Sequence, residues 1–161
     1  MPFFTVNLCS NVSSIFKQKT IYHVTNVTST FLNIPPDKIQ VLIQEFPREN
    51  WGRAGTSLTE ENFSKESRAI NWETKQSYYS GDSSKEENMT IVTIDVWDMY
   101  TQEQKNSWVE HLTEVFVNLL EIPKDNILIL IRDMPAGNWG QNGVTGAHAN
   151  FLEESRLIFG K

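Results

Sequence analysis

The chain has 161 residues, with 14 Lys and Arg against 20 Asp and Glu, for a net charge of −6 at pH 7. The charges are interspersed and no polybasic run occurs, which argues against a nucleic-acid partner or an anionic membrane surface. No apolar stretch approaches a membrane span, no basic signal region precedes the first strand, and the lone Cys9 cannot close an internal disulfide; a cytoplasmic protein is expected.

Residues 2 to 9 are rich in β-formers and alternate, with Phe4, Val6 and Leu8 on one face and Phe3, Thr5 and Asn7 on the other. A helix is expected from about Ser13 to Asn33, with an apolar stripe of Ile21, Val24, Val27, Phe31 and Leu32. It must end before Pro35, because the residue preceding proline is disfavoured in the helical region. A strand at 39 to 46 follows, and then a Gly-containing loop at 47 to 58 with Asn50-Trp51-Gly52. Residues 73 to 88 are polar and read as a flexible linker, with Tyr78 and Tyr79 able to dock part of it.

The same order then recurs. A strand near residue 90 leads to Thr101-Gln102-Glu103-Gln104, a capping-box sequence. Trp108, Leu112, Val115, Phe116 and Leu119 repeat at helical spacing up to Pro123. The strand at 127 to 134, Ile127-Leu128-Ile129-Leu130-Ile131, is apolar on both faces, as for a strand covered on both sides. A second loop at 135 to 147 carries Asn138-Trp139-Gly140.

Shifting the chain by 88 positions, the separation of Ile34 from Ile122, superimposes these halves without a gap. Asp37 falls on Asp125, Pro47 on Pro135, and Glu66-Ser67-Arg68 on Glu154-Ser155-Arg156. The expected organisation is a first module at 2–72, the linker at 73–88 and a second module at 89–161. A module of about seventy residues has a marginal core by itself, so the halves are expected to share one. Each strand-helix-strand is most simply a parallel, right-handed β-α-β unit.

If Met1 is removed, Pro2 places a free secondary amine at the start of the first strand. That terminal proline, the β-α-β modules, and the strands leading through Pro47 and Pro135 into Asn-Trp-Gly loops together resemble the tautomerase superfamily, in its fused 4-oxalocrotonate tautomerase form. The resemblance covers nearly everything except the linker. It implies an α+β fold in which two tandem modules form a pseudo-symmetric four-stranded sheet with two helices on one face. It also implies a cofactor-independent tautomerase, with no metal, that interconverts enol and keto forms of a small acid. Pro2 would be the general base: an α-amine has an unperturbed pKa of about 7.7 to 8, and modest desolvation makes it neutral at physiological pH. Only the first module can supply this amine, because Thr90, aligned with Pro2, has an amide nitrogen.

In that family two arginines hold a dicarboxylate substrate. The matching positions here are Val12 and Gln40 in the first half and Tyr100 and Leu128 in the second, so neither arginine is present. The resemblance leaves Gln40 and Tyr100 at substrate-binding positions, Trp51 and Trp139 as aromatic walls, and Arg53 as a carboxylate binder able to match it bidentately. Dehalogenases of the superfamily place a glutamate on the Trp-Gly loop, where this chain has Arg53 and Gln141. A non-catalytic oligomeric scaffold and a proline-dependent hydratase or decarboxylase are the alternative readings. His23 and His111 are read as structural, and Arg68 and Arg156 as supports of the tail or of a subunit contact. Single-module relatives are hexamers, so three fused chains would supply the same six units, and a homotrimer is expected.

Overall fold

The computed structural model describes residues 1–157. Strand β1 (Phe3–Cys9) leads to helix α1 (Ser14–Leu32) and parallel strand β2 (Gln40–Phe46); a small hairpin of β3 (Gly52–Arg53) and β4 (Thr56–Ser57) and a one-turn helix α2 (Phe63–Glu66) complete the first half. The second half repeats this as β5 (Thr90–Trp97), α3 (Gln102–Leu120), β6 (Ile127–Met134), the β7 (Gly140–Gln141) and β8 (Val144–Thr145) hairpin, and α4 (Phe151–Glu154). Strand order is β2-β1-β5-β6, and the two halves meet through antiparallel pairing of β1 with β5, from Phe3 opposite Asp95 to Leu8 opposite Thr90.

Local chemistry sets the helix limits. The Ser13 side chain accepts the Phe16 N–H at the start of α1, and Asn33 closes it in the left-handed region at φ 51°. For α3, the Thr101 hydroxyl accepts the Gln104 N–H while the Gln104 side chain accepts the Thr101 N–H, the reciprocal box expected from the sequence.

One core lies between the helices and one face of the sheet. Phe4, Val6 and Leu8 of β1 and Val92, Ile94 and Val96 of β5 are buried there against Val24, Trp108, Leu112 and Phe116. The α1 stripe differs from the expected one: Thr20, Val24 and Thr28 point inward, and Ile21 is exposed. The threonines are tolerated because both hydroxyls are bonded. Thr20 donates to the Phe16 carbonyl, and Thr28 accepts the Trp108 Nε1–H at 3.3 Å.

Strand β6 is covered on one side only. Ile127, Ile129 and Ile131 join the core, whereas Leu128 and Leu130 are 48% and 45% exposed on the opposite face, at the other edge of the sheet from Leu42 and Phe46 of β2. The end of the linking segment is also tied down more firmly than a flexible linker would be. Ser64 donates to the Lys85 carbonyl, Arg48 donates to the Glu87 carbonyl and the Asn88 side chain, and the Arg68 guanidinium lies 4.5 Å from the Tyr79 ring centre.

Candidate active site

Pro2 enters β1 at the end of the sheet where β5 finishes, so the amino terminus of the first module meets the last residues of β5 and the start of α3. The Pro2 carbonyl accepts the Gln40 N–H, which fixes the start of β1 against β2. A cavity of about 480 Å³ opens here, bounded by Met1, Leu32 and Lys38 from the first half and by Trp97, Tyr100 and Leu152 from the second. Burial pushes the Met1 α-amine down to about 6. Burial also raises the Tyr100 phenol, which therefore stays protonated at neutral pH and can donate a hydrogen bond.

Trp97 forms one wall, with its ring centre 5.5 Å from that of Phe151. Gly146 lies directly against it: a Cβ at this position would sit 2.6 Å from both Trp97 Cζ2 and the Ala136 carbonyl oxygen. The Gly146 N–H donates to the Trp139 carbonyl, so the second Asn-Trp-Gly loop backs this wall.

Of the residues singled out in the sequence, Tyr100 shares the cavity with the amino terminus, and Gln40 is held beside Pro2 through its backbone with an exposed side chain. Trp139 supports the wall through its loop and is half-buried. Trp51 and Arg53 are placed elsewhere within the chain. Trp51 is buried with Cys9, Leu58, Phe63 and Met89 at the start of the second module. Arg53 donates Nε–H to the Ser67 carbonyl at 2.9 Å and Nη1–H to the Asp125 carbonyl at 2.6 Å. The loop after β2 crosses to the second module because β1 and β5 run antiparallel, and so the first half's loop residues surround Met89, not Met1.

Lys38 and Trp97 are cavity residues that sequence reasoning passed over. Lys38 is 2% exposed, and its Nζ donates to Ser155 Oγ at 2.9 Å and lies 3.4 Å from an Asp37 carboxylate oxygen. A signal for it existed: the repeat sets Lys38 against Asn126 amid otherwise matching Asp37 and Asp125. His23 and His111 are exposed, and His111 Nδ1 is 2.6 Å from the Ser107 carbonyl oxygen. Arg132 pairs with Asp95 on the uncovered sheet face at 2.8 Å. Among the described residues, no group of His, Cys, Asp or Glu could hold a metal ion, and no helix is long and apolar enough to cross a membrane.

These features define a tandem β-α-β protein with an amino-terminal cavity shared between its halves. The model of the family described as "Tautomerase enzyme" matches residues 2–61 and 91–148, and the chain belongs to that family. A probable tautomerase of Streptococcus pyogenes serotype M3 is 42% identical over 55 residues, which span 34% of this chain and 90% of that relative. A probable tautomerase of Streptococcus agalactiae serotype III is 40% identical over 55 residues, 34% of this chain and 92% of that relative. Among solved structures, the asymmetric trimer of the wild-type R7 fused 4-OT superimposes with a TM-score of 0.67 at 19% identity, covering 89% of this chain and 95% of that one. N1, a member of the cis-3-chloroacrylic acid dehalogenase family, gives 0.69 at 14% identity, covering 97% of this chain and 92% of that one. At these identities the structural matches establish the two-module fold alone.

Proposed function

We propose that this chain is a cofactor-independent tautomerase acting on a small enol or keto acid, with the Pro2 amine, exposed by removal of Met1, as general base. The observation that carries this reading is the cavity at the amino terminus, where burial holds the Met1 α-amine down to about 6 and where removal of Met1 would leave the Pro2 amine. A neutral amine there takes a proton from the enol hydroxyl or from the carbon α to the carbonyl, and returns it elsewhere along the conjugated system. The protonated Tyr100 phenol donates to the substrate oxygen on which negative charge develops. Trp97 and Leu32 exclude water from the amine.

Absorbance assays of enol-to-keto conversion with 2-hydroxymuconate and phenylenolpyruvate test the reaction class, with halogenated acrylates and malonate semialdehyde as controls for hydration and decarboxylation. Faster enol-to-keto conversion than in protein-free buffer is expected; turnover confined to the control substrates would replace this reading with a hydratase or decarboxylase. A halopropiolate is expected to label each active chain once, on Pro2.

The pH dependence follows from which form of the amine is active. The base is the deprotonated form, so kcat/KM should be lost as pH falls through the pKa of the amine and level off above it. The burial that lowers the Met1 amine should likewise hold the midpoint for Pro2 below the ordinary value of about 7.7 to 8. A profile flat from about pH 5 to about pH 9 would exclude an α-amine base.

We also propose a homotrimer. The solved R7 fused 4-OT is a trimer, and the uncovered sheet face of this chain presents Leu42, Phe46, Leu128 and Leu130 at 38% to 48% exposure. Apolar side chains left exposed on a sheet face, here at both of its edges, are ordinarily buried by closed symmetric association. Light scattering should give three times the 18.5 kDa chain mass, and Leu130→Asp should shift it to the monomer. A wild-type monomer at micromolar concentration would refute the assembly.

A further inference from the structure

The two halves repeat one ion pair atom for atom. Arg68 Nε and Nη2 hold the Asp125 carboxylate at 2.6 and 3.0 Å, and Arg156 Nε and Nη2 hold that of Asp37 at 2.8 and 3.0 Å. Each pair links the tail of one module to the 3₁₀ turn (Pro36–Lys38 or Lys124–Asn126) that precedes the edge strand, β2 or β6, of the other. Beyond this pair the halves differ. At the second module the remaining edge of Arg68 faces the Glu87 carboxylate, with Nη2 to Oε2 at 3.1 Å and Nη1 to Oε1 at 3.4 Å, and Asn126 Nδ2 donates to the same Oε2 at 2.7 Å. Glu87 is only 5% exposed. A carboxylate from the linking segment thus fills a pocket made by an arginine and the residue at position 126.

At the first module, the same two positions are Arg156 and Lys38, and no described residue takes the place that Glu87 occupies in the second. The Nη1 edge of Arg156 has no partner among the described residues, and Lys38 Nζ, with three donors, has partners for two. Charge tells the same story. Around Asp125 two cations, Arg53 and Arg68, meet two carboxylates, Asp125 and Glu87. Around Asp37, two cations, Lys38 and Arg156, meet a single carboxylate. A buried lysine with one charge in excess is costly without an anion nearby. Lys38 lines the cavity that contains the amino terminus.

We infer that Lys38, on the wall of the amino-terminal cavity, and Arg156, joined to it through Asp37 at the cavity's margin, form a carboxylate subsite, receiving one carboxylate of an enol or keto acid where the second module holds its own Glu87. The inference rests on the substrate class proposed above, and it identifies what replaces the two arginines absent at Val12 and Gln40 in the first half and at Tyr100 and Leu128 in the second. Arg156 supplies a planar pair of donors and Lys38 a point charge at the cavity wall. The second module's copy of the pocket is closed by a built-in carboxylate, which is a second reason, besides the Thr90 amide, that it offers no site.

The test uses equilibrium binding, so that it does not depend on which group is the base. Titration calorimetry of the full chain with trans-cinnamate and with trans-cinnamamide compares two ligands of the same shape that differ in charge. The wild type is expected to prefer the acid by about tenfold or more, and Lys38→Gln and Arg156→Gln are each expected to cut that preference severalfold while leaving amide binding unchanged. The Arg156 side chain is 42% exposed, so its variant tests the subsite even if the buried Lys38 position does not tolerate change. Equal wild-type affinity for acid and amide, no binding of the acid at millimolar concentration, retention of the preference in Arg156→Gln, or equal weakening of both ligands as a purely structural role would give, each overturns the proposal. Should Pro2→Ala leave turnover intact while the acid preference responds as expected, the base assignment fails and the subsite stands.

Discussion

Pro2→Ala is expected to lower kcat/KM by roughly 10²- to 10⁴-fold, the contribution of a positioned general base, with the circular dichroism spectrum and oligomeric mass unchanged. The variant keeps an α-amine but loses the pyrrolidine ring that confines the nitrogen lone pair relative to the strand. Position 2 is fixed by its carbonyl, which holds the Gln40 N–H; alanine preserves this bond, so the fold should survive and the loss should fall on turnover. Retention of Met1, read by intact mass, should abolish activity more fully, since it converts the nitrogen to an amide. Rates in Pro2→Ala equal to wild type across the whole panel of enol acids would remove Pro2 from the mechanism.

Trp108→Ala is expected to destabilise the chain by about 3–5 kcal/mol, as for large aromatic truncations in a packed core. Trp108 is fully buried, stands edge-on to Phe4 with ring centres 5.8 Å apart, and donates to Thr28. Its removal therefore leaves a cavity at the joint between α1, α3 and β1, and leaves a buried threonine hydroxyl without that partner. The change should appear as a lower denaturation midpoint at fixed chain concentration, a necessary control for any protein that self-associates. A shift under about 1 kcal/mol would mean that the helices are not packed through this residue.

Much of the architecture was legible in the sequence because the repeat supplied two readings of each element. The proline stops at Pro35 and Pro123, the Thr101–Gln104 box and the alternation of Phe4, Val6 and Leu8 all correspond to observed features. The α1 stripe was less legible because burial of Thr20 and Thr28 depends on hydrogen-bond partners, one of them on another helix, which hydrophobic spacing cannot register. Of the residues the sequence singled out, Tyr100 lines the cavity at the amino terminus, whereas Arg53 lies against Ser67 and Asp125. Which module a loop serves is decided by the antiparallel β1–β5 seam, a long-range pairing with no local signature. Lys38 was hidden for a related reason: a lysine beside a proline-rich turn looks solvated until the tail of the other half covers it with Ser155.

The β1–β5 seam has a consequence for how the molecule responds to dilution. Two unlinked modules would have to find each other, and their joint core would dissolve as concentration fell. Covalent linkage turns that encounter into an intramolecular one, at an effective concentration that is on the order of millimolar for a short flexible connection. The two kinds of contact in this chain should then part company in a dilution series. Contacts of the proposed trimer at the open sheet face should weaken with falling protein concentration, whereas the strand ladder from Phe3 to Leu8 and the core behind it should stay assembled in a lone chain. Amide exchange measured across that series would show protection of the Val6 and Val92 amides independent of concentration, even where exposure of Leu128 and Leu130 rises.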